Sequence, residues 1–225
     1  MRWSAGNRGN VEDRRGGGVR GASVGIGGLV LVLALSWLTG ADLTPLLNVI
    51  GGPSGPGPSG EPVQGTPQEE RMVDFVDAVA ADIQDTWGRA LAGRYQRTSV
   101  VLFRDSVESA CGFAQAATGP FYCPADRRVY LDLGFFDDLE RKLDAPGDFA
   151  QAYVIAHEFG HHVQNLLGLN ERAQRDRRTG ENSSSVALEL QADCFAGVWG
   201  RAASERGRAA AGKVELDPGD VEEGL

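Results

Sequence analysis

The stretch "VIAHEFGHHVQ", residues 154–164, holds all three histidines of the 225-residue chain, His157, His161 and His162, with Glu158 among them. In a helix, residues four apart lie on one face a turn from each other, so His157 and His161 can aim ring nitrogens at one ion. Glu158, rotated by about 100 degrees, stands beside that ion. This is the H-E-x-x-H arrangement, in which two histidines hold Zn²⁺ and the glutamate takes a proton from the water the metal activates. His162, about 100 degrees round from His161, is a poor third ligand and is expected to line the cleft as a neighbour. The longer pattern with a third histidine fails, because Leu167 stands at its position and Gln164 replaces its glycine.

A catalytic zinc needs three protein ligands and an open position. "LELQADCFAG", residues 188–197, sets Glu189 and Asp193 four apart among Leu188, Leu190, Ala192, Phe195 and Val198. Two carboxylates in so apolar a helix are costly to bury without a partner. Glu189 is therefore expected as the third ligand. Asp193 is expected to accept a hydrogen bond from the far nitrogen of a ligating histidine. The competing reading makes both of them surface acids. Cys111 and Cys123, twelve apart around a Gly-Pro turn, suit a disulfide in an oxidising compartment, and Cys194 reads as a small buried apolar residue. Two other functions stay open: a zinc amidohydrolase with Cys111, Cys123 or Cys194 as third ligand, and a non-enzymatic membrane-anchored module that keeps zinc structurally.

Around these motifs the pattern is α+β. Thr66 and Glu69 form a capping-box signal with Pro67 between them, and Met72, Val76, Val79, Ile83, Trp87 and Leu91 recur at helical spacing, so a long helix closes near Gly93. "TSVVLF" and "RRVYLDL" read as strands of a small antiparallel sheet, and the one near residues 129–133 as the edge that holds an extended peptide. Helices are predicted over residues 135–143, 149–167 and 185–203. Tyr153, on the second of these, suits helix packing as well as an oxyanion contact.

The net charge of −9 and a sequence pI near 4.9 argue against nucleic acid as a partner. Residues 1–20 carry five arginines against Glu12 and Asp13, a local +3. Residues 22–41 carry no charge and are long enough to span a bilayer, so they read as a transmembrane anchor after a basic Gly-rich cytoplasmic arm, residues 1–21. A cleaved signal ending near Thr39, Gly40 and Ala41, or a buried core helix, are the alternatives. Residues 42–65 are a Gly/Pro/Ser-rich linker with no Lys or Arg, which puts the domain over residues 66–225 outside the cytoplasm, attached to the cell membrane by a single pass.

The runs "GPFYCPADRRVYLDLGFF", "GDFAQAYVIAHEFGHHVQNLLG" and "LELQADCFAGVWG" resemble those of the bacterial putative neutral zinc metallopeptidase family, over residues 71–225 and the anchor layout. The resemblance implies a zincin-like, mainly helical peptidase domain of the gluzincin kind. It implies Zn²⁺ held by His157, His161 and Glu189, with Glu158 as general base, Asp193 as the residue orienting a ligand, and a peptide or protein as substrate. It also implies a further helical and loop segment beyond Leu225.

Overall fold

Thr66 opens the first long helix by a reciprocal cap. Its hydroxyl accepts the Glu69 N–H at 3.2 Å, and the Glu69 carboxylate accepts the Thr66 N–H at 2.6 Å. With Pro67 in the first turn, α1 runs Pro67–Ala90 and buries Val76, Val79 and Ile83 completely. The structure, a computed structural model, describes residues 1–16, 65–115, 118–142, 148–176, 180, 183–207, 214–217 and 219–223. The anchor expected at 22–41 and nearly all of the linker expected at 42–65 lie outside them. Among the described residues no helix is long and apolar enough to cross a membrane.

The strands are β1 (Arg2–Trp3), β2 (Val11–Asp13), β3 (Val100–Phe103), β4 (Ser106–Ser109), β5 (Gly112–Gln115), β6 (Phe121–Cys123), β7 (Arg128–Asp132) and β8 (Val214–Glu215). The remaining helices are α2 (Leu133–Lys142), α3 (Asp148–Leu166), α4 (Leu169–Gln174), α5 (Ser184–Gly207) and α6 (Asp220–Glu223). A four-stranded sheet has the order β2-β3-β7-β6, while β4-β5 and β1-β8 form separate antiparallel pairs.

The expected antiparallel sheet is corrected to a mixed one. β3 pairs with β7 in parallel, Val101 opposite Tyr130, and β2 pairs with β3 in parallel, Val11 opposite Val100. A tight turn joins β6 to β7 and takes the antiparallel side of β7, with Tyr122 opposite Val129. β3 must then meet the other side of β7, and the long connection between them permits that parallel approach. All four residues of β3 are buried, as befits a strand covered on both faces.

The N-terminal expectation also changes. Residues 1–16 are not a separate arm but part of one folded unit with the domain. β2 forms the outer strand of the four-stranded sheet, and β1 pairs with β8 near the C-terminal end of the described chain.

The core lies between the sheet and helices α1, α3 and α5. Phe159 and Ala156 of α3 and Ala196 and Trp199 of α5 are fully or almost fully buried. The Trp199 indole N–H donates to Asp82 of α1 at 2.8 Å, tying the two helices together inside the core. α3 and α5 approach closely at Gly160, where a Cβ would stand 3.0 Å from the Ala192 carbonyl oxygen. That missing side chain lets the acidic residues of α5 come within reach of the α3 histidines.

Candidate metal centre

His157 and His161 lie one turn apart on α3 with rings 4.8 Å between centroids and nearly perpendicular. Each ring is held by its Nδ1. His157 Nδ1 lies 2.8 Å from Asp193 Oδ1 on α5, and His161 Nδ1 lies 2.9 Å from Gln164 Oε1 on its own helix. The Gln164 amide can be oriented from its surroundings. Its nitrogen meets two acceptors, the Leu188 carbonyl at 2.6 Å and Gln191 Oε1 at 3.2 Å, so its oxygen is the atom facing the ring. A carboxylate and an amide oxygen only accept, which assigns the hydrogen of both imidazoles to Nδ1. Both Nε2 atoms are thereby left with bare lone pairs.

Those lone pairs converge on Glu189. Its Oε2 lies 3.3 Å from Nε2 of His157 and 3.4 Å from Nε2 of His161. Three acceptor atoms aimed at one point repel one another and attract a cation. Zinc–ligand bonds of about 2.0–2.2 Å in a tetrahedron separate neighbouring ligand atoms by about 3.3–3.6 Å. The two separations from Glu189 match that edge length and all three ligand atoms lie within 4.8 Å of one another, so the donor set suits Zn²⁺ in its chemistry and can close on it. Among the described residues, His157, His161 and Glu189 are the group of histidine, cysteine and acidic side chains able to hold a metal.

Glu158 faces the same cleft but is only 7% exposed. Burial pushes its carboxyl up to about 7; His161 pulls it down, Glu189 pushes it up, and the Tyr122 backbone N–H pulls it down. The cleft has a volume of about 590 Å³, with Phe121 and Tyr122 of β6 on one wall and Leu188 and Glu189 of α5 on another.

Several expectations need correction. Glu189 and Asp193 reach the histidines, yet the premise that α5 buries them does not hold, since their side chains are 60% and 49% exposed. α5 lies at the rim of an open cleft, and it leaves Leu190 64% exposed as well. The competing reading of plain surface acids was thus right about their exposure and wrong about their partners. His162 does not line the cleft. It is buried between α3 and β6, where Nε2–H donates to the Gln96 carbonyl at 2.7 Å and Nδ1 accepts from the Tyr122 hydroxyl at 3.0 Å. Burial holds its pKa down, so it remains a neutral brace between α3 and β6.

The strand near residues 129–133 is not an edge, because β7 has β3 on one side and β6 on the other. The edge beside the cleft is β6. Cys123 at its end is disulfide-bonded to Cys111, which removes both as thiolate ligands. Cys194 is exposed rather than buried. The Tyr153 hydroxyl lies 3.3 Å from the Asp193 carbonyl oxygen and 3.4 Å from its Oδ1, behind the site rather than in the cleft. Gln164 escaped the sequence reading, although an amide three residues after His161, and fully buried, sits where it can reach that ring.

A family model described as "Putative neutral zinc metallopeptidase" matches residues 1–225. The chain is 41% identical over 251 aligned residues to the uncharacterized protein YpfJ of Escherichia coli K12, covering all of this chain and 81% of that relative. It is 44% identical over 144 residues to the uncharacterized protein Rv2575 of Mycobacterium tuberculosis H37Rv, covering 64% of this chain and 48% of that relative. No solved structure matches.

Proposed function

The chain belongs to the putative neutral zinc metallopeptidase family, and from that premise we propose that it hydrolyses peptide bonds at the site formed by His157, His161, Glu189 and Glu158. The observation that supports this reading is the pair of 3.3 and 3.4 Å approaches of Glu189 to the two Nε2 atoms, with a buried acid beside them. A zinc ion held there supplies Lewis acidity, polarising a peptide carbonyl and making a water acidic.

The chain's own residues do the rest. Asp193 and Gln164 fix the two imidazoles in the tautomer that presents Nε2. Glu158, as carboxylate, accepts a proton from the attacking water and passes it to the departing amine nitrogen. Its burial keeps the proton affinity near neutrality, which suits a group that must both take and give. The outer edge of β6, whose Tyr122 N–H faces Glu158, borders the cleft and offers its remaining backbone groups to an extended peptide.

Zinc content and peptide cleavage, measured together on the full chain and on Glu158→Gln, test the proposal. One zinc is expected in each protein. Cleavage should fall by about 10²-fold or more in the variant, the usual loss of a general base. Full cleavage by Glu158→Gln, or no zinc in the unmutated chain, would overturn it.

A further inference from the structure

The apolar residues 22–41 connect two segments of one folded unit, and that constrains how they can meet a membrane. Residues 1–16 are integrated along their whole length. β1 pairs with β8, and the Trp3 ring meets Phe75 edge-on at 5.6 Å. Asp77, 1% exposed, accepts the backbone N–H groups of Arg8 at 3.1 Å and Asn10 at 3.0 Å. β2 lies in register beside β3, and the Arg14 N–H donates to the Leu102 carbonyl at 2.8 Å. Arg15, its side chain 2% exposed, reaches Glu70 of α1 at 2.7 Å. The chain returns close to where it departs, for a Cβ on Gly65 would stand 2.5 Å from the Arg15 guanidinium.

Four of the five arginines that read as a cytoplasmic flank have partners inside this unit, and the fifth, Arg20, lies outside the described residues. Arg2 pairs with Glu215, Arg8 with Glu70 and Asp74, Arg14 with Glu12, and Arg15 with Asp13 and Glu70. Their crowding at the N-terminus is accounted for without any positive-inside preference.

A segment whose two ends are fixed in one unit can cross a bilayer only an even number of times. Each helical crossing takes about 20 largely apolar residues. Residues 17–64 contain one such run, and residues 42–64, with Asp42, Glu61, five prolines and five glycines, supply no second stretch of that length and apolarity. We infer that residues 1–16 and the histidine-bearing domain occupy one side of any membrane, so that residues 22–41 do not act as a single-pass anchor and the chain meets lipid, where it does, from one face only. The inference is independent of catalysis.

Two single-thiol chains test it. One keeps the native exposed Cys194; the other carries Ser4→Cys with Cys194→Ser, placing the reporter on an exposed residue between β1 and β2. Each full chain is treated with a membrane-impermeant maleimide in right-side-out vesicles, before and after permeabilisation. Both thiols should react before permeabilisation, or both only after it, and recovery of both chains in the soluble fraction also supports a shared compartment. One thiol reacting before and the other only after would overturn the inference. The double variant Trp3→Ala/Arg8→Ala provides a second reading: the melting temperature of the full chain should drop by several degrees, and an unchanged value would mean that residues 1–16 are not built into the fold.

Discussion

Oδ1 of Asp193 lies 2.8 Å from Nδ1 of His157, and that one contact fixes which nitrogen of the ring is free to bind a metal. Gln164 does the same for His161 from within the same helix. Removing either acceptor, as in Asp193→Ala or Gln164→Ala, should weaken zinc binding by about 10–100-fold, read by competition with a chromophoric chelator. Gln164→Glu keeps an acceptor oxygen and should retain most of the affinity. Equal affinity in all the variants would remove the orienting role.

Gly160 and Gly197 should respond in opposite directions to the same substitution. A Cβ at Gly160 meets the Ala192 backbone, whereas one at Gly197 of α5 meets nothing within 4 Å. Gly160→Ala is expected to cost about 1–3 kcal/mol by overpacking and to push Glu189 away from the histidines, lowering both stability and zinc affinity. Gly197→Ala should stabilise the helix by about 0.5–1 kcal/mol. Denaturant titration of both variants checks the contrast.

Acid should loosen the N-terminal segment. Hydrogen bonds from Arg15 and then Arg8 hold the Glu70 carboxyl down at about 2, against an ordinary value of 4.5. A carboxyl whose folded pKa is depressed contributes stability that is fully present above its unfolded value and is lost as pH falls through its folded one. The contribution of Glu70 should therefore be intact above about pH 5 and fade between about pH 4.5 and 2. Glu70→Gln should flatten that part of the stability curve. An identical acid slope in the variant would count against the pairing.

The sulfur ligand of the amidohydrolase reading has one free candidate among the described residues, Cys194, which is exposed and outside the metal-binding group. Cys194→Ala is expected to leave zinc stoichiometry and affinity unchanged. A loss of zinc would return sulfur to the site.

The longer helices were legible because local rules decide them, whereas the short α4, in a stretch that reads as a charged solvated loop, and α6 were not. The Thr66–Glu69 cap and the apolar spacing from Met72 to Leu91 act within one helix, and the four-residue spacings of His157 to His161 and of Glu189 to Asp193 need no knowledge of the fold. Of the four-stranded sheet, only β3 and β7 were legible as strands. Which of them pair, and in which direction, depends on connections of tens of residues, and Val11–Asp13 carries almost no strand signal of its own. Exposure of Glu189 was misread for a similar reason. An apolar helix lining a cleft leaves one side to solvent, and composition cannot tell which side.

The pairing of Arg2–Trp3 with Val214–Glu215 joins positions more than two hundred residues apart, with Arg2 and Glu215 separated by 213. On the ribosome, the opening residues emerge first and find their partner only when translation is nearly over. A nascent chain released early would hold α1, β3 and the histidines yet lack the strand against which its first residues close. So non-local a contact is formed slowly, which makes docking of the N-terminus a late step in biogenesis.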